Sequence, residues 1–323
     1  MGTLDLIVTH YREPWELGKK LFDMIAMQRD INFDDIGVIL VNDGEEHELP
    51  GELFDGYPYT VNQMSIPHGG VSKARNAGLD ASKADWVMFC DFDDTFAHVY
   101  AMRDIMTQLP APDYDVLWGD MLIEDGRNPE KFGIYKDTKV NAVFTHAKLY
   151  RRSFLIENGC WFNTQLTFNE DSEFNAILFA KVPTRRVGKI NTAMPLYIWC
   201  WRKDSTSNIG GRSEEALLCH YVRNKNVCEV YEKELPRNRY CAMVARTVWD
   251  AYYTLNTPSR SLRMDEMKRD FADWYDAHRK AFFETDAHDI PQIKAIACAE
   301  YRQPNHCENV SIEQWLYGLR KDA

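Results

Sequence analysis

The stretch GGVSKARNAGLDASKADWVMFCDFDD, residues 69 to 94, sets the fold. Gly69-Gly70 is a turn signal, and Val71 to Ala81 carries helical apolar spacing. Trp86 to Cys90 is an uninterrupted apolar run of strand length, as expected of a strand buried on both faces. Directly behind it, Asp91, Asp93 and Asp94 put three carboxylates into four positions. If the extended backbone continued, Asp91 and Asp93 would point the same way and Phe92 the other. Like charges that close repel unless a cation or a proton lies between them, so the spacing invites a metal ion.

Working upstream, Leu4 to Val8 is a short apolar run, Trp15 to Arg29 has helical spacing, and Gly37 to Val41 is a second strand ending in Asn42-Asp43-Gly44. Tyr59 to Ile66 reads as a third strand ahead of the glycine pair. The alternation predicts an α/β fold with a doubly wound, mostly parallel sheet. Ligands of such sheets bind beyond the carboxyl ends of the strands, where Thr9, Asp43 and Asp91 would converge.

From about residue 211 the texture changes. Glu214 to Glu234, Tyr240 to Leu255, Met264 to Phe283 and Ile312 to Leu319 have helical apolar spacing, with turn signals at Pro236, Pro258, Pro291 and Pro304. The expected division is therefore residues 1–210 as an α/β domain and 211–323 as a helical region whose aromatics form core.

A chain of 323 residues that is 45% hydrophobic and 13% aromatic can bury a sizeable core. Its net charge of −11 argues against broad nucleic-acid binding, which needs a basic face to displace counterions. Any anionic ligand must be held by a local basic patch. The eight cysteines include no CxxC pair, so neither a zinc ribbon nor a redox motif is present in them. No stretch approaches the length of a membrane span, and the first residues lack the basic segment of a signal peptide. The sequon Asn309-Val310-Ser311 is read as chance, and the expected location is cytoplasmic.

Four blocks in order, Val41-Asn42-Asp43-Gly44, residues 69 to 94, KLYRRSFL (148 to 155) and NEDSEFN (169 to 175), resemble the family 2 glycosyltransferases of the GT-A fold. The resemblance covers roughly residues 1 to 210. It implies a nucleotide-sugar-binding domain that transfers a sugar with inversion and holds a divalent metal through a DxD motif. On that pattern Asp93 is the metal ligand, Asp91 lies near the ribose or the metal shell, and the ion is Mg²⁺ or Mn²⁺, which suits hard carboxylate oxygens. Asp94 is assigned no more than a cap on the following helix.

The same resemblance places Thr9, Tyr11 and Glu13 in the base pocket, with Tyr11 stacked on the base and Asp43 accepting the imide N–H of uracil. Asn42 departs from the usual Asp-Asp-Gly and removes one acceptor, which favours a UDP-sugar. Arg75 would face the base or the diphosphate, and Ser72 would cap the helix that carries it. Lys148 to Arg152 are expected on a helix. Arg202 and Lys203, within WCWRKDSTSN (199 to 208), would close over the diphosphate. Asp171 would be the general base that takes the acceptor proton, and Glu170 would orient the acceptor or cap its helix.

Partners implied are a nucleotide-sugar donor and a glycan, lipid-linked or polymer acceptor, with a second copy of the chain as a candidate partner of the helical region. No Q-x-x-R-W block is present, so one sugar per encounter is expected. Two other readings stay open at this level. DFDDT also fits a dehalogenase-like phosphatase with Asp91 as nucleophile and Asp93 as acid and base, although there such a block follows the first strand. A catalytically silent sugar-nucleotide or glycan-binding module would keep the fold and lose the chemistry.

Overall fold

The computed structural model describes residues 3–111, 113–124, 132–135, 141–205, 213–256, 262–301 and 310–319. The chain divides into two compact units, one ending at Gly211 and the other beginning at Arg212.

The first unit is built on a seven-stranded sheet. Its strands are β1 (Leu4–His10), β2 (Ile36–Asp43), β3 (Thr60–Ile66), β4 (Trp86–Asp91), β6 (Val116–Trp118), β9 (Lys148–Arg151) and β10 (Val187–Lys189), in the spatial order β10-β6-β9-β4-β1-β2-β3. All neighbours are parallel except β9, which runs antiparallel to both β4 and β6. A four-stranded sheet of short strands, β5 (Thr95–Phe96), β7 (Met121–Glu124), β8 (Phe132–Tyr135) and β11 (Tyr197–Trp199), has the order β5-β11-β7-β8.

Side-chain alternation divides the large sheet between two cores. Leu4, Leu6 and Val8 face Leu21, Phe22 and Ile25 of helix α1 (Trp15–Ala26). Ile7 and Phe89 face the other way, toward Leu79 of α2 (Val71–Ala81) and Phe174 and Leu178 of α5 (Glu170–Lys181). Two short helices, α3 (Ala101–Met106) and α4 (Arg152–Glu157), complete the unit.

The block KLYRR departs from its expected helix. Lys148–Arg151 is strand β9, and the helix starts only at Arg152. Pairing fills the gap between β4 and β6, with Val87 opposite Tyr150 and Leu117 opposite Leu149, and buries Leu149 and Tyr150 completely. Burial on both faces overrides the helical spacing that the sequence shares with the start of α4.

The chain runs outward from β1 to β2 to β3 and returns to β4 on the other side of β1. That reversal opens a crevice between the carboxyl ends of β1 and β4, the place where such sheets bind ligands. Thr9 and Asp91 are register partners at its floor.

The second unit consists of α6 (Glu214–Glu234), α7 (Arg237–Leu255), α8 (Leu262–Phe283), α9 (Ile290–Tyr301) and α10 (Ile312–Leu319). α9 interrupts a stretch read as a turn: Pro291 sits in the first turn of that helix, where a missing N–H costs nothing. α7 is the centre, with every residue from Thr247 to Leu255 buried. Its one buried acid, Asp250, accepts hydrogen bonds from Arg246 Nε (2.7 Å), Asn224 Nδ2 (2.6 Å) and His220 Nε2 (3.1 Å). This polar centre ties α6 to α7. Pro258, Pro304, Asn309 and residues 206–208 lie outside the described residues.

Candidate active site at the carboxyl ends of the sheet

β4 ends at Asp91, and the chain turns at once, with the Asp94 N–H donating to the Asp91 carbonyl at 3.2 Å. The extended alternation expected through Asp93 stops there. Asp91 and Asp94 come together on His146, while Asp93, close by, meets Arg202. No helix follows Asp94 directly, so it caps none. Its Oδ1 accepts the Cys200 N–H at 2.8 Å, and its Oδ2 lies 3.4 Å from His146 Nε2.

His146 joins this group because β9 runs antiparallel beside β4, which brings the residue just ahead of β9 to the end of β4. Ala147 between them takes a left-handed backbone (φ 53°), a strained state for a residue with a Cβ, and its carbonyl accepts the Gly119 N–H at 2.9 Å. His146 Nε2 donates to Asp91 Oδ2 at 3.2 Å. One ligand atom from each of Asp91, Asp94 and His146 lies within 4.8 Å of the others. Asp94 Oδ2 is buried and receives no hydrogen bond among the described residues.

Arg75 is the hub of the interior side. It is buried, with Nη2 on Asp91 Oδ1 and Nη1 on Glu170 Oε1, both at 2.9 Å. Its guanidinium also lies over the Phe162 ring, 5.2 Å from the centroid. The expectation was a side chain facing the base or the diphosphate; its two hydrogen-bonding arms are committed to the two acidic motifs instead. Gly70 (φ 88°) precedes α2 as its cap residue. Ser72 therefore lies inside the helix, and its buried Oγ caps nothing.

α5 is launched by Asn169 in a left-handed conformation (φ 64°), a state Asn tolerates better than most residues. Glu170, Asp171 and Glu173 fill its first turn, where the helix dipole favours acids. Asp171 Oδ1 accepts the Ser172 N–H at 2.7 Å, and Oδ2 carries no hydrogen bond among the described residues.

A third group sits nearer solvent. Glu13 Oε2 accepts the Tyr11 and Arg12 N–H groups (2.9 and 3.2 Å), and Oε1 meets Arg202 Nη2 at 3.4 Å. Arg202 Nε lies 3.3 Å from Asp93 Oδ2 and 3.2 Å from Asp204 Oδ1. Tyr11 stacks on His68 (4.2 Å, 13°), and the Arg12 guanidinium lies over the same ring at 4.5 Å. Asp43 accepts the Gly69 N–H on Oδ1 (2.7 Å), and the Gly70 N–H and His68 Nδ1 on Oδ2 (2.8 and 2.9 Å). Asp43 thus shapes the 68–70 turn. Asn42 is fully buried and bonded to His10, the Met64 carbonyl and Ser65.

The electrostatics follow from crowding. Burial pushes Asp93 up to about 7, helped by the like charges of Asp94 and Asp91. Burial and Asp171 push Glu170 up to about 7 against the pull of Arg75. Burial also raises Asp94 and Asp171. Asp91 goes the other way: burial opposes its charge, but Arg75 and His146 outweigh it and hold the carboxyl below the usual range. His146, despite burial, is pushed up to about 10 by its hydrogen bond to Asp91 and the nearby carboxylate of Asp94, so it is an imidazolium at neutral pH. Six acids (Glu13, Asp91, Asp93, Asp94, Glu170, Asp171) thus face two guanidiniums and one imidazolium. A divalent cation would relieve the excess: carboxylate oxygens are donors that Mg²⁺ or Mn²⁺ accepts, and His146 would join them as a ligand only by giving up its Nε2 proton.

Residues 5–169, just over half the chain, match the sequence pattern of Glycosyl transferase family 2. The chain belongs to that family. Among curated relatives it is 32% identical over 93 residues to an uncharacterized glycosyltransferase of Haemophilus influenzae, covering 29% of this chain and 30% of that protein. It is 26% identical over 186 residues to the uncharacterized glycosyltransferase EpsJ of Bacillus subtilis, covering 50% and 52%. The chain thus spans about half the length of these relatives or less. Among solved structures, S. aureus TarS residues 1–349 in complex with UDP superposes with a TM-score of 0.68 at 16% identity, over 99% of this chain and 92% of that one. The mannosyltransferase PcManGT from Pyrobaculum calidifontis, in complex with GDP-Man and Mn²⁺, superposes with a TM-score of 0.51 at 13% identity, over 94% and 88%. Both likenesses show a GT-A type fold. Membership of family 2 also sets aside the dehalogenase-like phosphatase.

Two residues of this family 2 chain escaped the sequence reading. His146 is a lone histidine among apolar neighbours and gains meaning only once β9 is placed beside β4. Asp94 was visible, but its partner Cys200 follows β11, a strand of the other sheet. No helix among the described residues is long and apolar enough to cross a membrane.

Proposed function

We propose that the first unit is an inverting glycosyltransferase that moves a sugar from a UDP-sugar to an acceptor hydroxyl with Mg²⁺ or Mn²⁺. The observation that carries this reading is the excess of buried and half-buried carboxylates at the crevice between β1 and β4. Asp93 and the Asp91, Asp94 and His146 group are the residues that would hold the cation. Bound there, it would neutralise the leaving diphosphate.

The chain's own residues would do the rest. Asp171 Oδ2, which carries no hydrogen bond among the described residues, would receive the acceptor proton, and burial gives its carboxyl more basicity than a solvated one. Glu170, held by Arg75, would fix the first turn of α5 so that Asp171 is aimed. Tyr11 and Asp43 would meet the base, which must displace either His68 or Arg12 from the Tyr11 ring. Asn42 is already spent and Glu13 holds the Tyr11 and Arg12 N–H groups, so Asp43 is the carboxylate that would meet the base, exchanging for it one of its bonds to the 68–70 turn. Uracil presents a single imide N–H to it, whereas guanine adds an exocyclic amine needing a second acceptor. Leaving such a group unpaired costs about 1 to 3 kcal/mol, so UDP should bind at least about tenfold tighter than GDP. The likeness to TarS with UDP and with UDP-GlcNAc supports the same choice and makes UDP-GlcNAc the first donor to try.

The test is donor hydrolysis and transfer by the full chain across a panel of sugar nucleotides, in Mn²⁺ and in EDTA, with calorimetric titration of UDP and GDP. Turnover of a UDP-sugar that EDTA abolishes is expected. Donor binding without turnover would make the protein a silent binding module, and equal affinity for UDP and GDP would misplace the base pocket.

A further inference from the structure

We propose that Arg202 is a built-in counter-ion of the donor site: in the unliganded protein its guanidinium holds the place beside Asp93 that a divalent cation would take, and a nucleoside diphosphate draws it away. This deepens the proposed function and rests on it.

The two neighbouring acids Asp93 and Asp94 grip the segment after β11 in different ways. Asp94 accepts the Cys200 backbone N–H at 2.8 Å, and Glu124 Oε2 accepts the Trp201 N–H at 2.9 Å, so the root of the segment is fixed by main-chain bonds. Arg202 is the first residue past these clamps, and it meets Asp93 through its side chain alone. That side chain lies among three carboxylates, Glu13, Asp93 and Asp204, at 3.2 to 3.4 Å. The distances are long for charge-assisted hydrogen bonds: Nη2 donates to Glu13 Oε1 at 3.4 Å, and the approach to Asp93 at 3.3 Å is an ion pair. At Asp93 the contact supplies charge rather than a directional bond, as expected of a group that a cation can replace there.

Glu13 is not free to follow, because its other oxygen holds the Tyr11 and Arg12 N–H groups. Asp93 meanwhile keeps two like charges, Asp94 and Asp91, close by. Removing Arg202 without a replacement cation would leave that crowding unrelieved. A metal ion at Asp93 and the guanidinium beside it would therefore exclude each other, unless a diphosphate supplies new acceptors for both. Metal and nucleotide binding should be positively coupled through this one side chain, and coupling of this kind is typically worth about 5- to 150-fold in affinity.

The experiment measures Mn²⁺ affinity by calorimetry, without and with saturating UDP, for the wild type, Arg202→Gln, Arg202→Lys and the double variant Arg202→Gln/Asp93→Asn. Without UDP, Arg202→Gln should bind Mn²⁺ at least about fivefold tighter than the wild type, and Arg202→Lys, which keeps a cation there, should fall between them. UDP should strengthen Mn²⁺ binding by a larger factor in the wild type than in Arg202→Gln, and the double variant should lose the gain. Equal Mn²⁺ affinities in the wild type and Arg202→Gln, with binding otherwise intact, would overturn this proposal alone. No Mn²⁺ binding to any variant even with UDP, or a gain that survives in the double variant, would overturn it together with the metal reading at Asp93.

Discussion

Arg75 Nη2 meets Asp91 Oδ1 at 2.9 Å while the same guanidinium holds Glu170 at 2.9 Å, so one buried cation joins the end of β4 to the start of α5. A planar fork can serve two carboxylates in different directions, and an ammonium cannot do so with the same geometry.

Arg75→Ala should cost about 3 to 5 kcal/mol of stability in the first unit, because buried carboxylates lose their counter-charge. Arg75→Lys should restore part of that stability and little of the turnover, since Glu170 and Asp91 would no longer be held together. Denaturant unfolding beside a transfer assay checks both. An Arg75→Lys variant with full turnover would show that the bridge serves the fold alone.

Asp171→Asn removes the proposed proton acceptor and keeps the Oδ1 bond to the Ser172 N–H. Turnover should fall by at least about 10²-fold with UDP affinity within a few-fold of the wild type. Glu170→Gln, which keeps an oxygen for Arg75, should lose less. Weakened UDP binding with spared turnover in Asp171→Asn would move the base elsewhere.

How much of this was legible in the sequence depends on which groups owe their position to local pattern. β1, β2 and β4 read clearly because strands buried on both faces are continuous apolar runs, and α2 matches its expected bounds because glycines and a strand flank it. β9 was misread because KLYR runs without a break into the helix RSFLIE, and only its burial between β4 and β6 makes it a strand. The short strands β5, β7 and β11 have two to four residues, too few to show a period. At the site, the acidic blocks were visible as motifs. The pairing of Asp91 with Asp94 across a turn was not, because it hangs on where β4 stops. The commitment of Arg75 to two acids was equally hidden, since those acids come from distant segments.

Gly18 of α1 touches the site through Phe92. A Cβ at residue 18 would lie 2.1 Å from the Phe92 ring, which is 1% exposed and packs against His10 with ring centroids 4.6 Å apart. Gly18→Ala must therefore push the ring of Phe92, the residue between Asp91 and Asp93 in the chain. Overpacking of this kind costs about 1 to 3 kcal/mol, and Mn²⁺ affinity should fall along with stability. A Gly18→Ala protein as stable as the wild type, where helix propensity alone would favour alanine, would show that the ring moves freely.

The crowded acids also set the pH dependence of the metal-free protein. Glu170 and Asp93, both pushed up to about 7, and His146, pushed up to about 10, hold their protons more tightly when folded than in the unfolded chain. In the unfolded chain the carboxyls titrate near 4 and the imidazole near 6.5. Between those values the folded state binds more protons, so unfolding free energy falls as pH rises. The two carboxyls cause the loss between about pH 4 and 7, and His146 continues it from about 6.5 to 10. Asp91 acts with the opposite sign: held below the usual carboxylate range by Arg75 and His146, it stabilises the fold above about pH 4 and withdraws that support as the pH falls further. The unfolding midpoint in EDTA should therefore peak near pH 4 and decline toward pH 9, by about 2 to 4 °C for each kcal/mol lost in a unit of this size. Excess Mn²⁺ competes with the protons at the same oxygens, so it should raise the midpoint most at pH 7 to 8 and flatten the decline. Differential scanning across pH 4.5 to 9, in EDTA and in Mn²⁺, reads both effects. A midpoint in EDTA that rises from pH 5 to 8 would mean that these carboxyls are charged and compensated in the free protein, which would remove the electrostatic case for a cation at the site.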